Sequence, residues 1–181
     1  MIAIMSALAE ALAPLLTAEV RPETGAVLFR QGGPIRHYYV VRSGCAHLVR
    51  WGADGTSAVM QRATGVSVLA ESSVFMSAYH CDAICVSDSV LARADMDRVR
   101  RALDDQPELL RELARHLGRE VHRMRARVEL LSRRTVADRL DGWLALNGDT
   151  FPARGQWRSI AEDIGVSPEA FYRELQRRRQ R

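Results

Sequence analysis

A serine, a proline, a glutamate and spaced arginines just after a tight turn are groups that can hold and read nucleic acid. They stand in the stretch SIAEDIGVSPEAFYRELQRRR, Ser159 to Arg179. Ile160, Ala161 and Ile164 are apolar at helical spacing, Gly165 permits a sharp turn, and Val166 gives that turn an apolar plug. Ser167 is placed to cap a second helix, with Pro168 at its first position and Glu169 in its first turn. That helix offers Ala170, Phe171 and Leu175 inward and Arg173 and Arg177 outward, and Arg178 and Arg179 close the run. This is the pattern of a helix-turn-helix, whose second helix enters a DNA major groove. An ordinary helical hairpin on a domain surface has the same apolar spacing, so the rest of the chain must decide.

A second set of residues can do redox or coordination chemistry. His80, Cys81 and Cys85 lie close together in sequence, and Cys45 and His47 lie on an earlier apolar run. Such side chains can ligate a metal or haem, or form a thiol switch. On one continuous strand Cys81 and Cys85 stand about 13 Å apart. That exceeds the ~7 Å between Cα atoms that a disulfide tolerates. His80 and Cys81, as neighbours on a strand, point to opposite faces. The competing reading is that Cys45, Cys81 and Cys85 are small buried core residues. The remaining histidines, His37, His116 and His122, are scattered, and the last two are expected in solvent. There is no Gly-x-Ser-x-Gly elbow, no phosphate-cradling glycine loop and no paired-histidine zinc motif, so the chain does not read as an enzyme.

The elements that must position these groups are legible as two halves. Residues 24–95 alternate short apolar runs with turn signals at Gly25, Gln31–Pro34, Ser43-Gly44, Asp54-Gly55 and Thr64-Gly65. That rhythm predicts an antiparallel roll or barrel, with a hairpin loop at Gly52–Gly55. From Pro107 the pattern becomes helical and runs past residue 131. Leu117, Val121, Met124, Val128 and Leu131 repeat at heptad spacing. A stripe that narrow, flanked by arginines, predicts pairing with a second copy rather than packing on the roll alone. A further helix over Arg134–Leu146 leads through Gly148, Pro152 and Gly155 into the Ser159–Arg179 stretch. The expected domains are 1–106, a sensor roll; 107–133, the dimerisation helix; and 134–181, the DNA-binding part. Residues 1–106 hold 10 arginines against 11 carboxylates, whereas 107–181 hold 16 against 11, so the basic charge sits where DNA would. Lysine is absent. Three cysteines, an apolar N-terminus without a basic flank and no membrane-length run predict a cytoplasmic protein.

In this order, the landmarks LFRQGG (28–33), YYVVRSG (38–44), Asp54-Gly55, DMDRVRRAL (95–103), PELL (107–110), ADRL (137–140) and IGVSPE (164–169) resemble the CRP–FNR family of bacterial transcription regulators. The resemblance implies an α+β fold: an antiparallel, jelly-roll-like β-roll, then a long dimerisation helix and a helix-turn-helix. It implies double-stranded DNA and a second copy of the chain as partners, and admits RNA polymerase. Members that bind cyclic nucleotides carry a Gly-Glu pair and an Arg-Ser pair in the late roll. Here Ala70-Glu71 takes the first position, and Tyr79 and His80 take the second. Without that guanidinium a cyclic phosphate lacks its counter-charge, so a cyclic nucleotide is not the expected effector. A metal, a haem or no cofactor at all remains for the roll, with Cys45, His80, Cys81 and Cys85 as the effector candidates. The expected DNA contacts are Ser167, Pro168, Glu169, Arg173, Arg177 and Arg178. The resemblance matches Glu169 and Arg173 to the family's base-reading positions, while Pro168 stands where members often carry an arginine and can contact only apolar edges. Glu169 would accept from cytosine and Arg173 donate to guanine. The sequence stops at Arg181 without the family's hairpin wing, so the arginine tail is expected to supply phosphate contacts in its place. The alternative function is a regulatory module that no longer binds DNA and acts by heterodimerising or docking on another protein.

Overall fold

The computed structural model describes residues 7–148 and 153–179. The first six residues, Pro152, Gln180 and Arg181, all parts of segments discussed above, lie outside the described residues. The chain divides into two compact units, 1–117 and 118–181.

The first unit is built from strands β1 (Ala18–Val20), β2 (Val27–Phe29), β3 (His37–Ser43), β4 (Cys45–Trp51), β5 (Ser57–Thr64), β6 (Ser67–Leu69), β7 (Asp82–Cys85) and β8 (Val90–Asp95). They form two antiparallel sheets, ordered β1-β8-β3-β6 and β2-β7-β4-β5. Strand β3 shows why its sequence is apolar at successive positions. Tyr39 and Val41 face the core between the sheets with Ala46, Leu48, Ala83 and Leu91. Tyr38 and Val40 face the opposite way, into a second core. A strand buried on both faces loses the usual polar alternation. That second core is closed by helices α1 (Ala7–Leu12), α2 (Met96–Asp105) and the start of α3 (Pro107–Ser132), through Leu8, Leu12, Met96, Val99, Leu109 and Leu113. Each such buried leucine or valine contributes about 1.5–3 kcal/mol. The Asp95 carboxylate caps α2 by accepting from the backbone N–H groups of Asp97 and Arg98 at 3.0 and 3.1 Å. Gly44 joins β3 to β4 at φ +84°, where any side chain would also strike Ser89 and the Asp88 carbonyl.

The unit boundary falls inside α3, not at the expected break before residue 107, because Leu109 and Leu113 belong to the helical core of the roll. His116 follows on the same helical face and is 9% exposed. This corrects the expectation that it is solvated: a 3.6-residue repeat carries the 109–113 face on to 116.

The second unit holds the rest of α3, then α4 (Val136–Leu146), α5 (Trp157–Asp163) and α6 (Pro168–Arg179). Its core is Leu140, Trp157, Ile160, Ala161, Ile164, Phe171 and Leu175. The Thr135 hydroxyl oxygen caps α4, accepting from the Asp138 N–H at 3.0 Å and donating to its carboxylate at 2.6 Å. Among the described residues no helix is long and apolar enough to cross a membrane.

Candidate functional site

The turn between α5 and α6 is fixed from three sides. Gly165 sits at φ +65°, and a Cβ there would come within 2.6 Å of the Leu131 side chain. Val166 closes the turn by donating its N–H to the Ala161 carbonyl at 2.9 Å. Arg139, which the sequence reading did not single out, is the third clamp. Its guanidinium donates to the carbonyls of Arg133, Ile164, Gly165 and Leu131 at 2.9, 3.1, 3.1 and 3.0 Å. A planar fork that reaches several carbonyls is a task lysine cannot perform. Ser167 then caps α6, its hydroxyl accepting from the Ala170 N–H at 3.2 Å.

The faces of α6 are sharply divided. Phe171, Glu174 and Leu175 are buried, while Glu169, Tyr172, Arg173, Gln176 and Arg177 are exposed. Glu169, Tyr172, Arg173 and Gln176 share one stripe at i, i+3, i+4 and i+7 spacing. Tyr172 and Gln176 were not among the expected site residues, although counting from Phe171 and Leu175 would have found them. The Glu169 carboxyl is held below the usual carboxylate range by its own backbone N–H and the Ser167 hydroxyl. It is therefore an acceptor at neutral pH. Arg173 lies beside Thr135, Ala170 and Arg177 on the edge of an open groove.

Arg178 departs from the expectation. It faces the second unit's own interior, donating to Glu174 at 2.8 Å, to Asp141 at 2.6 Å and to the Ala137 carbonyl at 3.0 Å. The cause is helical phase, since residue 178 falls on the same side as Phe171, Glu174 and Leu175. Burial raises the Glu174 carboxyl, but hydrogen bonds from Arg178 and Arg177 outweigh it and leave it below its ordinary range.

Along α3 the heptad residues split. Leu117 is partly buried against the helical core of the roll. Val121, Met124 and Val128 are 45, 54 and 67% exposed, and Leu131 is exposed while also touching the Gly165 turn. Arg111, Arg115 and Arg123 pair with Glu108, Glu112 and Glu120 one turn earlier on the same helix, which tempers the basic charge flanking the stripe.

In the roll the effector candidates do not share a face. His80 is exposed, whereas Cys81 and Cys85 are wholly buried in the core between the sheets. Cys45 is partly exposed, and its backbone N–H donates to the Ser89 hydroxyl at 3.1 Å. Burial pushes the Cys81 thiol up to about 11 and raises those of Cys45 and Cys85. No three His, Cys, Asp or Glu side chains among the described residues form a metal-ligand set. Ala70 occupies the left-handed region at φ +55°, a conformation that suits glycine. Glu71 follows it, buried, with its carboxylate accepting from Gln61 at 2.9 Å and 4.0 Å from His116 Nε2. The Tyr79 ring stacks on Phe29 at 3.6 Å between centroids, and its hydroxyl donates to the His37 carbonyl at 2.9 Å.

A two-sheet antiparallel roll followed by helices defines the class, and residues 19–106 match the family model described as the cyclic nucleotide-binding domain. The sensor domain of the transcriptional regulator DNR from Pseudomonas aeruginosa is 30% identical, over 64% of this chain and 83% of that one, with a TM-score of 0.56. The chain belongs to the CRP–FNR family of transcription regulators. FixK2 from Bradyrhizobium japonicum has a TM-score of 0.72 at 18% identity, covering 90% of this chain and 84% of its own. The global regulator CLP of Xanthomonas campestris, described as c-di-GMP responsive, has a TM-score of 0.68 at 18% identity, over 96 and 91% of the two chains. At that identity these two show the fold alone. A search of curated proteins finds no match to the chain.

Proposed function

We propose that the chain is a homodimeric, DNA-binding transcription regulator in which α5 and α6 form a helix-turn-helix and α6 enters the major groove. The observation that carries this reading is the exposed stripe Glu169, Tyr172, Arg173 and Gln176, mounted on a closed apolar core and a clamped turn. Glu169 and Arg173 are the base readers, accepting from cytosine and donating to guanine. Ser167, Pro168 and Arg177 lie at the edges, where phosphate and sugar contacts set the register. Arg178 positions the helix. Val121, Met124, Val128 and Leu131, with the exposed part of Leu117, form the seam between two copies, and the dimer offers a surface to RNA polymerase. The signal is not cyclic AMP. Tyr79, at the position where the resemblance expects the phosphate-binding arginine, belongs to an aromatic stack, and Glu71 is buried among its own protein partners. His80 lies exposed while Cys81 and Cys85 are buried in the core between the sheets, and that separation favours an effector other than a metal or haem held by the group.

The test is fluorescence anisotropy with a duplex selected from a random library. Wild type should discriminate the selected duplex from a scrambled one, and Glu169→Ala and Arg173→Ala should lose that discrimination. Cyclic AMP should change neither curve. Equal binding of both duplexes by wild type, or binding untouched by both substitutions, would sink the assignment.

A further inference from the structure

Beside the stripe on α6 lies a groove that the base-reading assignment leaves unused. It encloses about 340 Å³ and is lined by Arg154, Trp157, Tyr172, Leu175, Gln176 and Arg179. The largely buried Trp157 indole is part of that lining. The guanidinium carbons of Arg154 and Arg179 stand 5.8 and 5.3 Å from the centre of that one ring. Neither arginine has a carboxylate partner among the described residues. The two come from different elements, Arg154 from the short turn before α5 and Arg179 from the end of α6. Both guanidiniums lie within cation–π range of the same ring and line the same groove, and that attraction orders them in advance of any ligand.

We infer that Arg154, Trp157 and Arg179 form a phosphodiester clamp that grips the DNA backbone alongside the base-reading stripe. The inference rests on the DNA-binding reading above and adds the second place where the duplex is held. Two preorganised forks without an internal counter-charge complement a phosphate, which accepts bidentate hydrogen bonds from guanidinium. The position matches that task. Tyr172 and Gln176 belong both to the groove wall and to the stripe, so a stripe seated in the major groove brings this wall against the flanking strand. The contact carries no sequence information, since every phosphate is alike. Its effect is on affinity, register and salt dependence.

The experiment is a set of anisotropy titrations of the full chain across a series of salt concentrations, with selected and scrambled duplexes. Arg154→Ala and Arg179→Ala should each reduce the slope of log K against log salt by about 0.9. Both duplexes should weaken by the same factor. Arg154→Lys should keep most of the slope, since the charge remains. Arg158→Ala, on α5 and outside the groove, is the control and should leave the slope unchanged. Thermal melts establish that each variant is folded. Unchanged slopes in folded Arg154→Ala and Arg179→Ala would overturn the clamp and leave the groove to an acidic protein segment. A change in duplex ranking would overturn it in favour of a base contact. If wild type discriminates no duplex but the variants still lose slope, the base-reading assignment fails and the clamp stands. If wild type binds no duplex at all, both fail together.

Discussion

Arginines on one helix divide here between an exposed face and the unit's own interior, and the division can be tested residue by residue. Arg173 projects from the exposed stripe of α6, whereas Arg178 is hydrogen-bonded to Glu174, Asp141 and the Ala137 carbonyl. Arg173→Ala should therefore cost about 1–3 kcal/mol against the preferred duplex and relax selectivity at one base position, with the melting temperature unchanged. Arg178→Ala should do the reverse, lowering stability by about 1–2 kcal/mol while the folded fraction keeps its ranking of duplexes. A panel of single-base variants and a melting curve separate the two. The sequence carries half of this distinction. Phe171 and Leu175 fix the inward face, and helical phase puts residues 174 and 178 on it, but nothing in the sequence says that Asp141 of α4 waits there. The cysteines behave similarly. Strand alternation already separates His80 from Cys81, while the burial of Cys81 depends on a facing sheet that no local pattern reveals. That burial has a pH signature. The Cys81 thiol is pushed up from 9.0 to about 11, so between these values the unfolded chain loses its proton while the native one keeps it. Stability should fall as pH rises through that window. Cys81→Ala should flatten the fall, as read from urea midpoints at pH 8, 9 and 10.

At the scale of elements, the helix ends and turns were legible because few residues can make them. Ser167-Pro168 ahead of α6 stand where a cap and a first-turn proline must, whereas the caps Thr135 ahead of α4 and Asp95 ahead of α2 emerge only from the structure. The long helix from Pro107 followed from an uninterrupted apolar repeat. What the repeat could not reveal is that two surfaces share it. Leu109, Leu113 and His116 cover the roll, and only from Val121 onward does the exposed stripe begin, so charge along the helix hid the burial of His116. The clamp on the α5–α6 turn was also hidden, because backbone carbonyls leave no mark in a sequence. Arg139 donates to carbonyls at the end of α3, in the α3–α4 link and in the turn itself. Removing it strands several acceptors at once. Arg139→Ala should destabilise the second unit by at least about 2 kcal/mol, and Arg139→Lys should recover little, because an ammonium cannot reach the same carbonyls together. Hydrogen exchange at the Ile164–Ser167 amides is the direct readout, with faster exchange in both variants and no change in the β3 and β8 amides.

For the whole molecule the question is what the exposed apolar residues of α3 do in water. Val121, Met124 and Val128 are large side chains at heptad spacing, each close to half exposed or more. A continuous apolar stripe of that kind marks an interaction surface. The proposed partner is the same heptad on a second copy, which would pack against it as in a coiled coil. Dimerisation would then bind each protomer's fold to its concentration. The melting temperature of wild type should rise as the protein is concentrated, because association stabilises only the folded form. Val128→Asp buries a charge in the seam of both copies and should abolish that dependence and halve the mass measured by sedimentation. The same substitution tests the reading of DNA. Two recognition helices joined by a seam engage half-sites about 34 Å apart, and joining them raises the effective concentration of the second contact. Val128→Asp should therefore weaken binding to a duplex with two half-sites by about 100-fold or more. It should leave binding to a single half-site as it was. An equal loss on both duplexes would mean that the substitution damaged α6 rather than the pairing, and an unchanged mass would assign the stripe to a different partner.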